Sequence, residues 1–181
     1  MSVYDLIPGA KAEGRILGYH FVDVDEATGN IKLRCGTVVA DSGAWLPETE
    51  PVMCSSGYHA LERLKDALSY APSGKALCIV EMPPSVERGS DKMVARTRRV
   101  LARIDVHSLL AVYAEDCAAD FAKRGIDVFM SGLEAAIAAG DRARVKELLD
   151  GAPDMSDNGD ELFARFERTV ESAFLSTMAG K

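Results

Sequence analysis

The sequence predicts an α+β fold, in which a small, mostly antiparallel sheet with one packed helix is followed by a C-terminal helical region. Residues 15–39 contain two stretches of alternating apolar side chains, and residues 75–82 form a short apolar run rich in strand-forming residues. From Asp105 onward, apolar side chains recur at helical spacing. We therefore predict an α+β domain over residues 1–104 and a helical region over residues 105–181, which packs on that domain or forms a small subdomain.

The first two strands are predicted as a β-hairpin. Residues 15–25 read RILGYHFVDVD and alternate in the manner of a strand. The turn signal ATGN follows, and residues 31–39 alternate again. Residues 41–51 carry two prolines and the single tryptophan, which indicates a loop.

Residues 54–59 read CSSGYH and begin the next predicted element. In a structural interpretation, Gly57 supplies an unusual backbone angle and Ser55 or Ser56 caps a helix. The apolar face of that helix comprises Leu61, Leu64, Ala67 and Leu68.

The same segment has a chemical interpretation, because a cysteine needs a nearby base to act as a nucleophile. Cys54 and His59 could supply that pair. Neither an acidic partner for the histidine nor a second glycine for an oxyanion pocket is evident in the segment. We therefore favour the structural interpretation.

Residues 75–82, KALCIVEM, are predicted as a central strand. The following residues 87–104 support two interpretations. Val94, Arg96, Arg98 and Val100 alternate as in a strand, whereas Val94, Thr97, Leu101 and Ile104 fit a helix. Strand and helix both remain open, and we favour the strand.

Four helices are predicted in the C-terminal region. Asp105 is a suitable N-cap for the first, which ends at Gly125, and residues 128–140 form the second. Asp141 caps a third helix that ends at Gly151. An acidic loop then leads to the last helix, whose apolar stripe comprises Leu162, Phe166, Val170, Ala173 and Phe174.

Charge and composition limit the classes of function. The net charge of −7 is confined to the C-terminal region, since residues 1–104 carry 13 basic and 13 acidic side chains and residues 105–181 carry 8 and 15. Apolar runs are far shorter than the roughly 20 residues that cross a bilayer. We expect a cytoplasmic protein of a bacterial host cell, without membrane attachment and with little affinity for nucleic acid. The four widely spaced cysteines predict reduced thiols and no metal site.

A basic stretch follows the central strand and is a candidate binding surface. Without interleaved aromatic side chains it lacks the means to stack on bases. A solvated edge strand protected by charge is the simplest interpretation, and contact with an acidic partner is the functional one. The stripe comprises Arg88, Lys92, Arg96, Arg98, Arg99 and Arg103.

The string SSGYHALERLKDALSYAPSGKALCIVEM resembles a stretch found in ADP-ribosyltransferase-like folds. The earlier GYHF, residues 18–21, is similar to the first strand of such folds. The resemblance implies that His20 and the 55–59 turn, including His59, hold NAD and that Glu81 is the catalytic acid. The second carboxylate or glutamine usually found two residues from that acid is missing here, since Glu81 immediately precedes Met82 and two prolines.

A second resemblance runs from CSSGYH to about residue 118. It is to an uncharacterised domain of phage and prophage proteins, with a Cys-x-x-Gly-aromatic-His turn, a DAL.Y helix, a C.VE strand and a K.V..R pattern. The resemblance implies a phage context and supplies no mechanism. The residues in register are Cys54, Gly57, Tyr58, His59, Asp66, Ala67, Leu68, Tyr70, Cys78, Glu81, Lys92, Val94, Cys117 and Ala118.

From these observations the leading hypothesis is a phage- or prophage-encoded accessory protein without a cofactor. It would act by contacts with a host or phage protein, and inhibition of a host defence system is one such role. The alternatives are an ADP-ribosyltransferase-like enzyme using NAD, with His20, His59 and Glu81 as its catalytic residues, and a virion or assembly component. The sequence does not indicate an oligomeric state.

Overall fold

The computed structural model describes residues 1–33, 36–39, 43–53, 55–71, 75–152 and 159–180. It confirms the α+β class: antiparallel strands fill the first part of the chain and helices the last. The chain divides into two compact units, which we call the sheet unit (residues 1–109 and 167–181) and the helical unit (residues 110–166). The predicted helical region 105–181 is therefore shared between the units, because the second part of the last helix belongs to the sheet unit.

The strands are β1 Ile16–Val24, β2 Ile31–Lys32, β3 Val38–Val39, β4 Tyr58–Ala60, β5 Ala76–Met82, β6 Glu87–Arg88, β7 Met93–Ala95 and β8 Arg99–Asp105. The helices are α1 Val3–Leu6, α2 Leu64–Leu68, α3 His107–Lys123, α4 Ile126–Ala138, α5 Arg142–Asp150 and α6 Gly159–Ala179.

The larger sheet has the strand order β3-β2-β1-β5-β8. Strand β5 pairs antiparallel with β1 on one side, where His20 lies opposite Cys78 and Leu17 opposite Glu81, and with β8 on the other. Every residue of β5 is buried, which confirms it as a central strand and explains its almost continuous apolar sequence. Residues 87–104 form strands and turns, as favoured from their alternation.

A smaller sheet, ordered β4-β7-β6, packs on one face of the larger sheet. Tyr19 of β1 exchanges backbone hydrogen bonds with Leu61, just after β4, with N–O distances of 2.7 and 3.0 Å. The chains approach closely here because Gly18 has no side chain: a Cβ atom would lie 2.6 Å from the Cβ of Ala60. The core between the sheets comprises Val22, Ile31, Ala60, Ala76, Cys78, Val80, Met82, Met93, Ala95 and Val100.

The opposite face of the larger sheet is covered within the same unit by short helices and by the end of α6. The ring of Tyr19 packs on Phe174 with centroids 6.4 Å apart, and Leu64 of α2 is fully buried. Helix α1, which the sequence analysis did not predict, begins with a capping box between Ser2 and Asp5.

The helical unit contains most of α3, all of α4 and α5, and the beginning of α6. Tyr113 stacks on Phe166 with centroids 4.9 Å apart, and Phe163 packs edge-on against the same tyrosine. The side chain of Asp141 accepts a hydrogen bond from the Arg144 amide at 3.0 Å, which confirms the predicted N-cap. No residue of α3 is buried.

The helix predicted to begin at Ser55 or Ser56 is wrong in its first half. Tyr58–Ala60 instead form β4, which pairs with β7, and the helix is confined to Leu64–Leu68. The predicted backbone role of Gly57 is confirmed, because its φ is +87°. Non-local pairing with β7 holds Tyr58–Ala60 in a strand, so the helix cannot begin at the serines.

Candidate functional site

Two of the predicted site residues, His20 and His59, meet at one buried guanidinium in the sheet unit. Arg98 lies between β7 and β8 and is only 1% exposed. Its Nη1 lies 2.6 Å from Nδ1 of His20 on β1, and it donates to the backbone carbonyl of His59 on β4 at 2.9 Å. The Tyr58 ring lies 5.4 Å from the guanidinium carbon. His20 and His59 are thus brought together through Arg98.

The two histidines are held neutral. Burial lowers the pKa of His20 well below its ordinary range, and the charge of Arg98 and the nearby His59 add to this. Because a guanidinium only donates, Nδ1 of His20 must accept, which places the ring proton on Nε2. Burial is the largest influence that lowers the pKa of His59, and the charges of Lys92 and Arg98 lower it further. A backbone hydrogen bond at Gly57 acts in the opposite direction and raises it.

Glu81 lies on the other face of the β1–β5 ladder, because it is opposite Leu17 whereas His20 is opposite Cys78. Its Oε2 accepts from Arg15 Nη2 at 2.8 Å and from Arg99 Nε and Nη2 at 3.1 and 2.8 Å. Burial raises the pKa of Glu81, but the hydrogen bonds from Arg15 and Arg99 outweigh it, so the pKa is lowered. The Glu81 carboxylate is therefore ionised at neutral pH and is already hydrogen-bonded to Arg15 and Arg99.

The NAD interpretation required His20, His59 and Glu81 to share one cleft. The structure brings the two histidines together and separates them from Glu81 by the sheet. A general acid needs a pKa raised towards neutrality, whereas that of Glu81 is lowered. The catalytic roles of His20, His59 and Glu81 therefore remain a prediction, and the three side chains do not share one cleft. Cys54, the nucleophile of the less favoured chemical interpretation, lies outside the described residues.

The predicted basic stripe is not one continuous surface. Arg98 was expected on a solvated edge strand, but its side chain points towards the core and is buried. The other five side chains reach five different partners. Arg88 pairs with Glu62, Lys92 donates to the Tyr70 hydroxyl, Arg96 pairs with Glu50, Arg99 pairs with Glu81, and Arg103 donates to the Gly29 carbonyl.

The helical unit carries an exposed apolar surface that the sequence analysis missed. Among the described residues, six of the eleven exposed large hydrophobic side chains belong to this unit, which spans residues 110–166. They are Val112, Phe121, Val128, Met130, Ile137 and Leu149. The helical spacing predicted amphipathic helices with buried apolar stripes, but it could not indicate how few side chains of each helix are buried.

One face of α4 arranges these side chains at regular spacing. Asp127, Met130, Glu134 and Ile137 are all exposed and lie at i, i+3, i+7 and i+10, along a single stripe. Ile137, which is 62% exposed, also lines a groove of about 430 Å³ between α4 and α5, together with the half-exposed Leu149. We call this surface the α4–α5 face; it comprises Asp127, Met130, Glu134, Ile137 and Leu149.

The described ranges contain neither a metal-binding cluster nor a membrane-spanning helix. No group of three or more histidine, cysteine or acidic side chains is placed to hold a metal ion there. None of the helices in those ranges has the length and apolar character to cross a membrane.

Comparison with known proteins gives a family match over about half of the chain. No curated protein and no solved structure matches the chain. The family model described as a domain of unknown function, DUF7666, matches residues 19–112. This range includes most of β1, the CSSGYH segment, β5 and Arg98, and it ends near the beginning of the helical unit. The chain therefore belongs to the DUF7666 family, a domain of unknown function.

Proposed function

We propose that this protein acts by protein–protein contacts made through the α4–α5 face. The observation that carries the proposal is the exposure of three large hydrophobic side chains on this face, Met130, Ile137 and Leu149. Exposed apolar surface bordered by polar side chains is typical of interaction sites. Met130 and Ile137, seven residues apart on one stripe, have the spacing of the anchor residues of a helix that binds in an apolar groove.

The charge of the unit indicates the chemistry of the partner. Residues 110–166 carry 6 basic and 12 acidic side chains, so nearly all of the net charge of −7 lies in this unit. Asp127 and Glu134 lie beside the two apolar anchors. The partner we propose has an apolar groove edged by lysine or arginine, whose charges would steer the encounter.

The biological setting of the proposal depends on the sequence resemblance alone. That resemblance is to phage and prophage proteins, so we propose a host or phage protein as the partner. Inhibition of a host defence system and a part in virion assembly are two roles that such a contact would serve.

The experiment is affinity capture from a bacterial lysate with the full chain, followed by isolation of the complex and measurement of its Kd. The test variant combines Met130→Ser and Ile137→Ser. Both residues are exposed, so unfolding free energy should change by no more than about 0.5 kcal/mol for each. We expect the double variant to weaken a saturable, stoichiometric complex by 100-fold or more, since anchor residues typically contribute at least 2 kcal/mol each.

The matched control is Leu175→Ser. Leu175 is 48% exposed, close to the 42% of Met130, but belongs to the sheet unit. It should leave the Kd unchanged. Raising NaCl from 50 to 500 mM should slow association without abolishing the complex. Binding that survives the double serine substitution, or that Leu175→Ser weakens equally, contradicts the proposal.

A further inference from the structure

Two consecutive arginines of the sheet unit differ in how their guanidinium groups are used. Nε and Nη2 of Arg99 form a fork that holds the carboxylate of Glu81. The same edge of Arg98, its Nε and Nη2, has no hydrogen-bond partner, although Arg98 is only 1% exposed. Only Nη1 of Arg98 is bonded, to His20 and to the His59 carbonyl. The Nε/Nη2 edge of Arg99 thus has an acceptor, whereas the same edge of Arg98 has none.

The charge of Arg98 is also uncompensated within the described residues. Ion pairs found there reach many other basic side chains, the neighbouring Arg96 and Arg99 among them, and none reaches Arg98. His20 is held neutral and supplies one acceptor nitrogen. Burial lowers the pKa of Arg98 to about 10, against the opposing influence of Cys78 and Tyr58. The guanidinium therefore keeps its proton at neutral pH and remains a buried cation, which is costly without an anionic partner.

We infer that the Nε/Nη2 edge of Arg98 binds an oxyanion group, a phosphate or a carboxylate, through two parallel hydrogen bonds. This edge of a guanidinium matches the spacing of two oxygens on such a group. The face of the Tyr58 ring at 5.4 Å holds the guanidinium plane, and Nδ1 of His20 fixes its other side. The fork is consequently oriented before the anion arrives.

The burial of the site restricts the ligand to a small oxyanion or to the terminal oxyanion group of a larger molecule. Tyr58 and His59 both contact Arg98 and are both partly exposed, so they connect the guanidinium to the surface. The Tyr58 hydroxyl donates to the Pro47 carbonyl at 3.0 Å, so the ligand would approach beside the contact between β4 and the 43–53 loop. All these residues lie in the sheet unit, and the inference is independent of the α4–α5 face.

The test uses the full chain and titrates it with sodium phosphate and, in a separate arm, with sodium formate. Ionic strength is held constant with NaCl. A ligand at a hundredfold excess over its Kd should raise Tm by roughly 5–10 °C in a protein of this size. We expect a saturable rise in at least one arm, with NaCl alone producing none. A phosphate response assigns a phosphate site, and a formate response assigns a carboxylate site.

Arg98→Lys keeps the positive charge and removes the fork, so it should lose most of the response. Arg96→Lys is the matched control, because Arg96 is half-exposed and paired with Glu50; it should respond like the wild type. In the wild type, the assigned Nε–Hε NMR resonance of Arg98 should shift with the same midpoint as Tm, while that of Arg99 stays in place. This second measurement decides the question even where Arg98→Lys does not fold.

The inference is overturned if neither anion stabilises the wild type more than NaCl does. It is also overturned if the Arg98 resonance does not move, or if Arg98→Lys responds as strongly as the wild type.

Discussion

The sheet unit and the helical unit differ in what they do with their apolar side chains. Of the 32 buried hydrophobic residues in the described ranges, 28 lie in the sheet unit and only four in the helical unit. The helical unit nevertheless exposes six large hydrophobic side chains and carries most of the net charge. The sheet unit uses its apolar residues to hold a fold, whereas the helical unit leaves many of them available to a partner.

The largest effect we expect is on the core of the sheet unit. Ile79 of β5 is fully buried, so Ile79→Ala should lower the unfolding free energy by about 2–5 kcal/mol through lost contacts and a cavity. Ile137→Ala in α4 is the matched change, and it should cost no more than about 0.5 kcal/mol because Ile137 is 62% exposed. Urea unfolding of the two variants measures both values. Equal losses would show that the two units do not differ in packing as described.

The next effect is at the turn that precedes β4. Gly57 has φ +87°, and a Cβ atom there would lie 2.9 Å from Pro51 Cα and from Val94 Cγ2. Gly57→Ala should combine about 1–2 kcal/mol of backbone strain with about 1–3 kcal/mol of overpacking. Gly29→Ala isolates the first contribution, since Gly29 has φ +69° with nothing within 4 Å of its Cβ position. Denaturant titration should find the Gly57 variant clearly the less stable, and the reverse order would refute this account of the turn.

A smaller effect is expected from the ion pairs of Glu81. Glu81→Gln removes a buried carboxylate that accepts from Arg15 and Arg99, and it should cost about 1–3 kcal/mol at pH 7. Since the pKa of Glu81 is lowered in the folded protein, its stabilising contribution is present above the ordinary carboxyl pKa of about 4.3 and is lost as the pH falls through the folded value. The stability difference between the variant and the wild type should therefore shrink at low pH. Urea titrations at pH 7 and pH 3 measure it, and a constant difference would argue against the ion pairs.

Much of the fold could be predicted from local patterns. Alternation identified β1, the β-branched run identified β5, and Asp141 correctly marked the beginning of α5. Strand β4 was missed because Tyr58–Ala60 are extended by pairing with β7, some 35 residues away, and no feature of the local sequence records that pairing. Helix α1 was missed because its four residues are too short for a periodic signal.

The candidate sites were less predictable than the fold. The sequence put Arg98 in a basic stripe, yet it shares a period of two with the buried Val100, Ala102 and Ile104 of β8, and that period was the signal that it points inward. His20 and His59 were singled out, but the sequence could not show that Arg98 lies between them while Glu81 lies on the other face. Apolar exposure in the helical unit depends on tertiary packing, which helical spacing alone does not specify.

Amide hydrogen exchange of the full chain, alone and with its captured partner, tests the central claim most directly. In the free protein, the amides of α4 and α5 should exchange on the order of tenfold or more faster than those of β1 and β5, because so few residues of the helical unit are buried. Partner binding should slow exchange around Met130, Ile137 and Leu149 and leave β5 unchanged. Protection that appears on the strands, with α4 and α5 unaffected, would contradict a function exerted through the helical unit.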